Sequence, residues 1–222
     1  MIPKRSTLIA LVPPPKQADE FVVEIQTTDD IIHCVYDCVC NSEGFVWSGD
    51  KSKGWIEGPQ PDYVKNFAPL FLKGNTKAGT DPETGKKIVE VDLDGVCSDI
   101  WDFMQNCWPY DPDKAETEKM QTGRTVNYIL YDFTNKYFDC KHYATFAYAV
   151  LRALGIDCRL RLTSYDAIMP SPSHIYVIAG VGEYDEDKKQ WPETFVIDGT
   201  MPEYNEESKD GVTQYYTVDI KV

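Results

Sequence analysis

Residues 138–156, FDCKHYATFAYAVLRALGI, contain the clearest helical pattern in the 222-residue chain. Apolar side chains recur there three and four positions apart, the spacing of one buried helix face; they are Tyr143, Phe146, Ala147, Val150, Leu151 and Leu154. Gly155 follows them and supplies a stop, because glycine readily takes the left-handed conformation that ends many helices. We therefore predict a core helix over residues 140–154.

The start of this helix places a cysteine where a thiolate is favoured. Asp139 is a natural N-cap residue, so Cys140 falls in the first turn. Free backbone N–H groups and the positive end of the helix dipole meet at that position and stabilise a negative charge on sulfur. The same groups can donate to an oxyanion. The alternative is an inert thiol, since cysteines on core helices usually only pack.

A nucleophilic thiolate needs a base, and the chain has three histidines. His142 follows Cys140 by two positions and so points about 200° around the helix. His33 belongs to a predicted N-terminal helix with nothing around it that singles it out. His174 follows the Pro- and Ser-rich loop MPSPS and opens the alternating strand HIYVIAG. The first residue of a strand is held rigidly by the sheet and stays partly exposed to solvent, so we predict His174 as the base.

Asp198 has a comparable position at the end of the next strand, TFVIDGT. If the two strands are antiparallel neighbours, the Asp198 carboxylate lies beside His174 and can hold its Nδ1–H group. Taken alone, His174 reads as a structural strand residue and Asp198 as part of a plain turn. Together with Cys140 they form an ordered catalytic set of nucleophile, base and orienting acid.

At these residues the sequence resembles the transglutaminase-like superfamily, in which a helix opening on cysteine precedes one strand carrying histidine and another carrying aspartate. The resemblance covers about residues 100–200 and lies in four segments: IWDFMQNCWPYDPD, DCKHYATFAYAVLRALGIDCRLRL, SHIYVIAG and FVIDGT. It implies an α+β fold with a papain/transglutaminase-like core, in which the nucleophile helix packs on an antiparallel sheet, plus an elaborated N-terminal third. We expect one domain over residues 1–222, with the elaboration in 1–95 and the catalytic core in 96–222.

The resemblance also implies the chemistry, which is attack of the Cys140 thiolate on a carbonyl to give a thioester acyl-enzyme. A cysteine peptidase or amide hydrolase acting on a protein or peptide substrate is the first expectation, because nothing in the sequence marks a site that binds an amine and excludes water. A protein-crosslinking acyltransferase is the second. A non-enzymatic structural or interaction protein that keeps the fold, for example in a phage particle, is the third. No cofactor is implied, and the oligomeric state stays open.

The sequence departs from the family pattern around the nucleophile. Phe138 and the pair Lys141-His142 stand where many bacterial relatives have a glycine and acidic residues, which bears on substrate preference. In papain-like enzymes an upstream side chain completes the oxyanion hole. Gln105, Trp108 and Tyr110 are all possible equivalents here.

Charge and hydropathy exclude several classes of partner. The 36 acidic and 22 basic side chains give a net charge of −14, so nucleic acid would be repelled. The apolar run at 8–12 is too short for a signal peptide and meets three prolines, and no run approaches the roughly 18 residues that span a bilayer. We expect no membrane partner and a cytoplasmic protein, or a virion-associated one if the chain is phage-encoded.

Seven scattered cysteines predict reduced thiols rather than disulfides. Cys34, Cys38 and Cys40 beside His33 raise the alternative of a metal site, but they lack a paired CxxC and a second cluster. We predict buried thiols on a helix and no metal. Arg159 and Arg161 share a strand face, which we read as solvated in preference to a contact with an acidic substrate group.

The remaining elements follow from pattern and turn chemistry. The N-terminal part is predicted to contain strands at 7–12 and 20–26, a helix from Thr28 to about 41–44, loops with a short helix near 63–72, and a strand after the turn DPETGKK. A helix from Ser98 to the prolines after Trp108 and a polar segment around Gly123 come next. The last strands are expected at 158–163, 175–181, 194–197 and 215–222.

Overall fold

The computed structural model describes residues 1–24, 28–48, 53, 55–58, 62–116, 120–134, 136–164, 174–207 and 216–221. Its helices are Arg5–Ile9 (α1), Thr28–Ser42 (α2), Val64–Phe67 (α3), Leu93–Cys107 (α4), Val126–Tyr131 (α5) and Cys140–Ala153 (α6). Its strands are Glu20–Glu24 (β1), Phe45–Trp47 (β2), Trp55–Glu57 (β3), Thr76–Thr80 (β4), Lys87–Val91 (β5), Met120–Arg124 (β6), Cys158–Ser164 (β7), His174–Val181 (β8), Glu193–Ile197 (β9) and Tyr216–Ile220 (β10). Short 3-10 helices occupy Gln17–Asp19 and Ala68–Leu72.

The sheet beside α6 has four antiparallel strands in the order β10-β7-β8-β9. Along β8, Ile175, Val177 and Ala179 join the core cluster that also contains Phe146 and Val150 of α6. Because successive strand residues point to opposite sides, this alternation places α6 against one face of the sheet. The predicted α+β class, with the helix packed on an antiparallel sheet, is confirmed.

Side chains from the N-terminal third complete the same core. Phe71 packs edge-on against Phe103 of α4, with 5.6 Å between the ring centroids, and Phe103 stacks on Phe146 at 5.2 Å. Leu8 and Val35 are fully buried in this cluster as well. One contiguous core thus draws on both parts of the chain, and α4 runs across residue 95. The division into 1–95 and 96–222 stays a prediction.

The predicted strand at 7–12 is wrong, because α1 is a helix followed by a turn. Its β-branched residues favoured a strand, yet Leu8 and Val12 are both buried and lie four positions apart, which is helical spacing. The Arg5 guanidinium donates to the Leu130 carbonyl across 2.8 Å and anchors α1 to α5. The long-range contact that decides this segment has no local signature in the sequence.

Other expectations differ from the structure mainly at boundaries. Helix α4 begins at Leu93 rather than Ser98, because Asp92 accepts a hydrogen bond from the Gly95 N–H group and caps it. The polar segment around Gly123 contains β6 and α5, and β1 pairs with β6. The region expected as loops also contains the β2–β3 hairpin and strand β4. Helices α2 and α6 and strands β7 to β10 match their predictions within one to two residues where described.

The outer face of the sheet is neither solvated nor open to a substrate. Arg161 is buried, and its guanidinium bonds the Asp219 carboxylate at 2.7 Å and Glu207 at 2.6 Å. Arg159 pairs with Glu186 at 2.8 Å and lies 3.6 Å from the ring centroid of Tyr184. The prediction that Arg159 and Arg161 lie on a solvated strand face is therefore wrong. Strand β10 and the segment after β9 supply the acids that pair with Arg161, and the segment between β8 and β9 supplies Glu186 for Arg159.

The cysteine-rich helix α2 contains buried thiols, as predicted. Cys34, Cys38 and Cys40 are all buried, whereas His33 on the same helix is exposed. All seven cysteines are free. Within the described residues, no helix combines the length and the apolar character needed to cross a bilayer.

Candidate active site

Cys140 is the first residue of α6, at the predicted place. Asp139 precedes it as N-cap with an extended backbone, φ −143° and ψ −174°. The Asp139 carbonyl accepts the His142 N–H at 3.0 Å, which starts the helical turn. The Cys140 side chain is partly exposed, while most of the following helix is buried. A reagent can therefore reach the thiol without unfolding α6.

His174 is the first residue of β8, paired with Thr163 of β7, and it meets both other predicted site residues. Its Nε2 lies 2.5 Å from Oδ2 of Asp198. Its other neighbour is Cys140, which lies close enough to the imidazole to raise its pKa. The prediction that Nδ1 faces the carboxylate is wrong: Nε2 does, which leaves Nδ1 as the nitrogen for the thiol. Strand pairing could predict adjacency but not the side-chain rotamer that selects the nitrogen. The loop MPSPS before His174 lies outside the described residues.

The protonation of His174 is governed by its two partners. Burial disfavours the charged imidazole, but the Asp198 carboxylate and, after it, Cys140 outweigh burial and raise the pKa of His174 well above its usual range. An imidazolium is therefore favoured near neutral pH. Such a cation can stabilise an adjacent thiolate and can donate a proton to a leaving amine.

Asp198 is held rigidly just beyond the end of β9. Its carboxylate is 2% exposed, and Oδ1 accepts hydrogen bonds from the Thr200 N–H at 3.0 Å and the Thr200 hydroxyl at 2.7 Å. The indole N–H of Trp101 on α4 donates to the Asp198 carbonyl at 3.0 Å. Both carboxylate oxygens thus have defined partners, so the group can orient an imidazole without moving itself.

Tyr143, one turn after Cys140, packs against three segments that form the site. Its hydroxyl donates to the Trp108 carbonyl at 2.5 Å, at the end of α4. Its ring meets Phe138 edge-on at 5.2 Å, and it lies so close to Gly199 that any side chain there would collide with it. The first residue of the apolar stripe therefore fixes the distance between α6, the end of α4 and the Asp198 turn.

The three possible oxyanion donors differ in position. Both amide hydrogen bonds of Gln105 go to backbone carbonyls, those of Gly199 at 2.8 Å and Met201 at 3.0 Å, so its amide is already engaged. The Trp108 indole N–H is buried and has no hydrogen-bond partner among the described residues. Tyr110 is 38% exposed; burial and then the electrostatic effect of Cys140 raise its pKa, against the opposing effect of His174. Trp108 is fully buried, whereas Tyr110 is exposed and interacts with Cys140, so Tyr110 is the candidate that a substrate oxyanion can reach.

Sequence reasoning missed a buried polar cluster behind Cys140. The Lys141 ammonium bonds the Asp139 carboxylate and lies 2.8 Å from a carboxylate oxygen of Glu116. His142 contacts Asp139 on one side, and its Nε2 lies 3.3 Å from the Arg124 guanidinium on the other. Lysine and histidine within a core helix were the available signal, because such residues are rarely buried without partners.

One of three comparisons with known proteins finds a match, and it is to a family model. The family model described as the transglutaminase-like superfamily matches residues 89–199, which is half of the chain. The match begins in β5 and ends just after Asp198, so it includes α4, α6 and the strands that carry His174 and Asp198. No match is found among curated proteins or among solved structures. The chain belongs to the transglutaminase-like superfamily.

Proposed function

We propose that the chain is a cysteine-dependent amide hydrolase that acts on a protein or peptide through a thioester acyl-enzyme. The observation that carries the proposal is the imidazole of His174, which bonds the buried Asp198 carboxylate and lies close enough to Cys140 for the thiol to raise its pKa. In this proposal Cys140 is the nucleophile, His174 the acid and base, and Asp198 the orienting group. Membership of the superfamily supports the same reading.

The reaction proceeds in two halves. The Cys140 thiolate adds to the amide carbonyl carbon, the C–N bond breaks, and the amine leaves with a proton from His174. His174 then takes a proton from water, the hydroxide adds to the thioester carbonyl, and the carboxylic acid leaves as the C–S bond breaks. Asp198 keeps the imidazole in one orientation through both proton transfers.

We prefer hydrolysis to crosslinking because the Cys140 thiol is partly exposed. An acyltransferase must hold an amine against the thioester while it keeps water away. Cys140 and Tyr110 are both partly open to solvent, which gives water direct access to a thioester at Cys140. Crosslinking of glutamine to lysine is the second candidate, since it uses the same acyl-enzyme. A non-enzymatic member of the fold is the third.

Alkylation of the thiols tests whether Cys140 is a nucleophile at all. Iodoacetamide labelling between pH 5 and pH 9, read by peptide mass spectrometry, compares Cys140 with Cys107 in the same molecule. Cys107 is also partly exposed, but burial raises its pKa to about 11 despite Arg5 nearby, so it serves as an internal control. We expect Cys140 to react at least about tenfold faster at pH 7.

The variant His174→Ala should remove most of that advantage, because the thiolate loses its cationic partner. If Cys140 reacts no faster than Cys107, and His174→Ala changes nothing, the enzyme proposal is wrong and the non-enzymatic reading stands. Incubation of the wild type with a mixture of glutamine- and lysine-containing peptides then separates the two chemistries. New amino termini or conversion of glutamine to glutamate indicate hydrolysis, whereas incorporation of an added primary amine indicates transfer; ammonia leaves a glutamine side chain in both cases.

A further inference from the structure

The polar cluster behind Cys140 contains fully charged side chains that are buried from solvent. Lys141 is 3% exposed at its side chain, and its two carboxylate partners, Asp139 and Glu116, are each 9% exposed. Taking an ion out of water costs several kcal/mol, and apolar side chains in place of a buried ion pair are often as stabilising. Stability of the fold therefore does not by itself account for a lysine at this position.

Within the described residues, Lys141 is the only fully charged cation that contacts the Asp139 carboxylate. Asp139 also contacts His142, at 2.9 Å from Nδ1. Burial, together with Lys141 and Arg124, lowers the pKa of His142 although Asp139 opposes the shift, so this imidazole is neutral at pH 7. Lys141 therefore offsets the negative charge of Asp139, although its ammonium is shared with Glu116.

That balance matters because Asp139 directly precedes Cys140. A buried, uncompensated carboxylate beside the first turn would oppose the positive field that the helix N-terminus supplies to a thiolate. Burial disfavours the charged carboxylate, but His142 and Lys141 lower the pKa of Asp139 to about 2, so the group stays ionised. Asp139 is thus an anion directly before the nucleophile, and its contact with Lys141 weakens its field.

We propose that Lys141 is a positioning residue for the nucleophile, in that its buried ammonium weakens the negative field of Asp139 and so keeps the field at Cys140 favourable to a thiolate. The proposal rests on the proposed function of Cys140. Glu116 holds the ammonium from the other side and is itself fixed by the Thr122 N–H at 2.6 Å. Lys141 touches neither substrate nor the reacting atoms in this role.

Other charged and titratable groups also face Cys140 and limit the size of the effect. His174 comes from β8, Tyr110 from the segment after α4, and Asp198 from the turn after β9. None of them contacts Lys141 in the described structure, so a change at Lys141 leaves their arrangement in place. The effect of Lys141 therefore adds to theirs and is open to separate measurement.

The test is the rate of iodoacetamide alkylation of Cys140 in Lys141→Met, from pH 5 to pH 9 and without substrate. We expect the rate at pH 7 to fall about tenfold and the midpoint of the pH profile to move about one unit higher. Lys188→Met is the matched control, because Lys188 pairs with Asp185 at 2.8 Å but is 70% exposed on the surface. It should leave the profile unchanged.

Glu116→Gln separates the effect of charge from the effect of structure. It removes an anion while Lys141 still faces Asp139, so Cys140 should react at the wild-type rate or faster. If the Lys141–Glu116 pair only holds the structure together, Cys140 should react more slowly in both Lys141→Met and Glu116→Gln. A fall in the rate of Glu116→Gln, or an unchanged profile in Lys141→Met, overturns the proposal, and Glu116→Gln decides alone if Lys141→Met does not fold. An unreactive Cys140 in the wild type would instead overturn the proposed function.

Discussion

Gly199→Ala would test the packing that keeps Asp198 beside His174. A methyl group at residue 199 would lie 2.5 Å from Cγ and 2.9 Å from Cβ of Tyr143. These atoms are the root of a buried side chain whose hydroxyl is bonded to the Trp108 carbonyl, so the ring cannot swing aside. The Asp198 turn must move instead. We expect a loss of about 2 kcal/mol in the free energy of unfolding, as overpacked cores show.

Gly79→Ala is a matched control with nearly the same geometry. A methyl group at residue 79 would lie 2.6 Å from Cδ and 2.9 Å from Cγ of Glu90. Glu90 is exposed on the β4–β5 hairpin, and its side chain can rotate away. We therefore expect the free energy of unfolding to change by no more than about 0.5 kcal/mol.

Thermal unfolding followed by circular dichroism distinguishes the two variants. A chain of this size shifts its Tm by about 2–4 °C per kcal/mol, so Gly199→Ala should lower the Tm by about 4–8 °C and Gly79→Ala by about 2 °C at most. Alkylation of Cys140 should also slow in Gly199→Ala only, because the displaced Asp198 no longer holds His174. Equal Tm shifts in the two variants would refute the claim that Tyr143 and Gly199 set this spacing.

Two further predictions concern the oxyanion donor and the acid limit of stability. Tyr110→Phe should lower kcat for amide hydrolysis by about 10²-fold with little change in KM, because a donor of this kind acts mainly in the transition state; an unchanged kcat would exclude Tyr110 as the donor. Asp139→Asn should be about 2 kcal/mol less stable than the wild type at pH 7 in urea unfolding. Folding lowers the pKa of Asp139 to about 2 from its usual value near 3.8. The ionised carboxylate therefore stabilises the fold above about pH 3.8, and this stabilisation is lost as the pH falls toward 2. If the difference in unfolding free energy between wild type and variant stays constant down to pH 3, the ion pair is contradicted.

The sequence predicted the parts of the site that local pattern specifies. The apolar stripe located α6, its N-cap located Cys140, and two alternating strands with polar residues at their ends located His174 and Asp198. These signals are local, because a helix start and a strand end are defined by neighbours within a few residues. The antiparallel pairing of β8 with β9 then brings the last two together.

The missed features all depend on long-range contacts. Helix α1 is decided by the burial of Leu8 and by the bond from Arg5 to Leu130, more than 100 residues away. Arg161 was predicted to be solvated because the acids that pair with it come from distant parts of the chain, the segment after β9 and β10. The pairing of Lys141 with Glu116 joins residues 25 positions apart that no periodicity connects. Alternation and helical spacing predict which face is buried, but they do not say what covers it.

The residue that opens the apolar stripe also explains why the site is held by rigid elements. Tyr143 lies three positions after Cys140, so its side chain projects from the first turn of the same helix. From there it bonds the end of α4, which leads into Tyr110, and packs on the turn that carries Asp198. A shift of any one element would therefore be resisted by the other two. The packing that makes this helix predictable as a core element is the same packing that holds the end of α4 and the Asp198 turn against the helix that begins at Cys140.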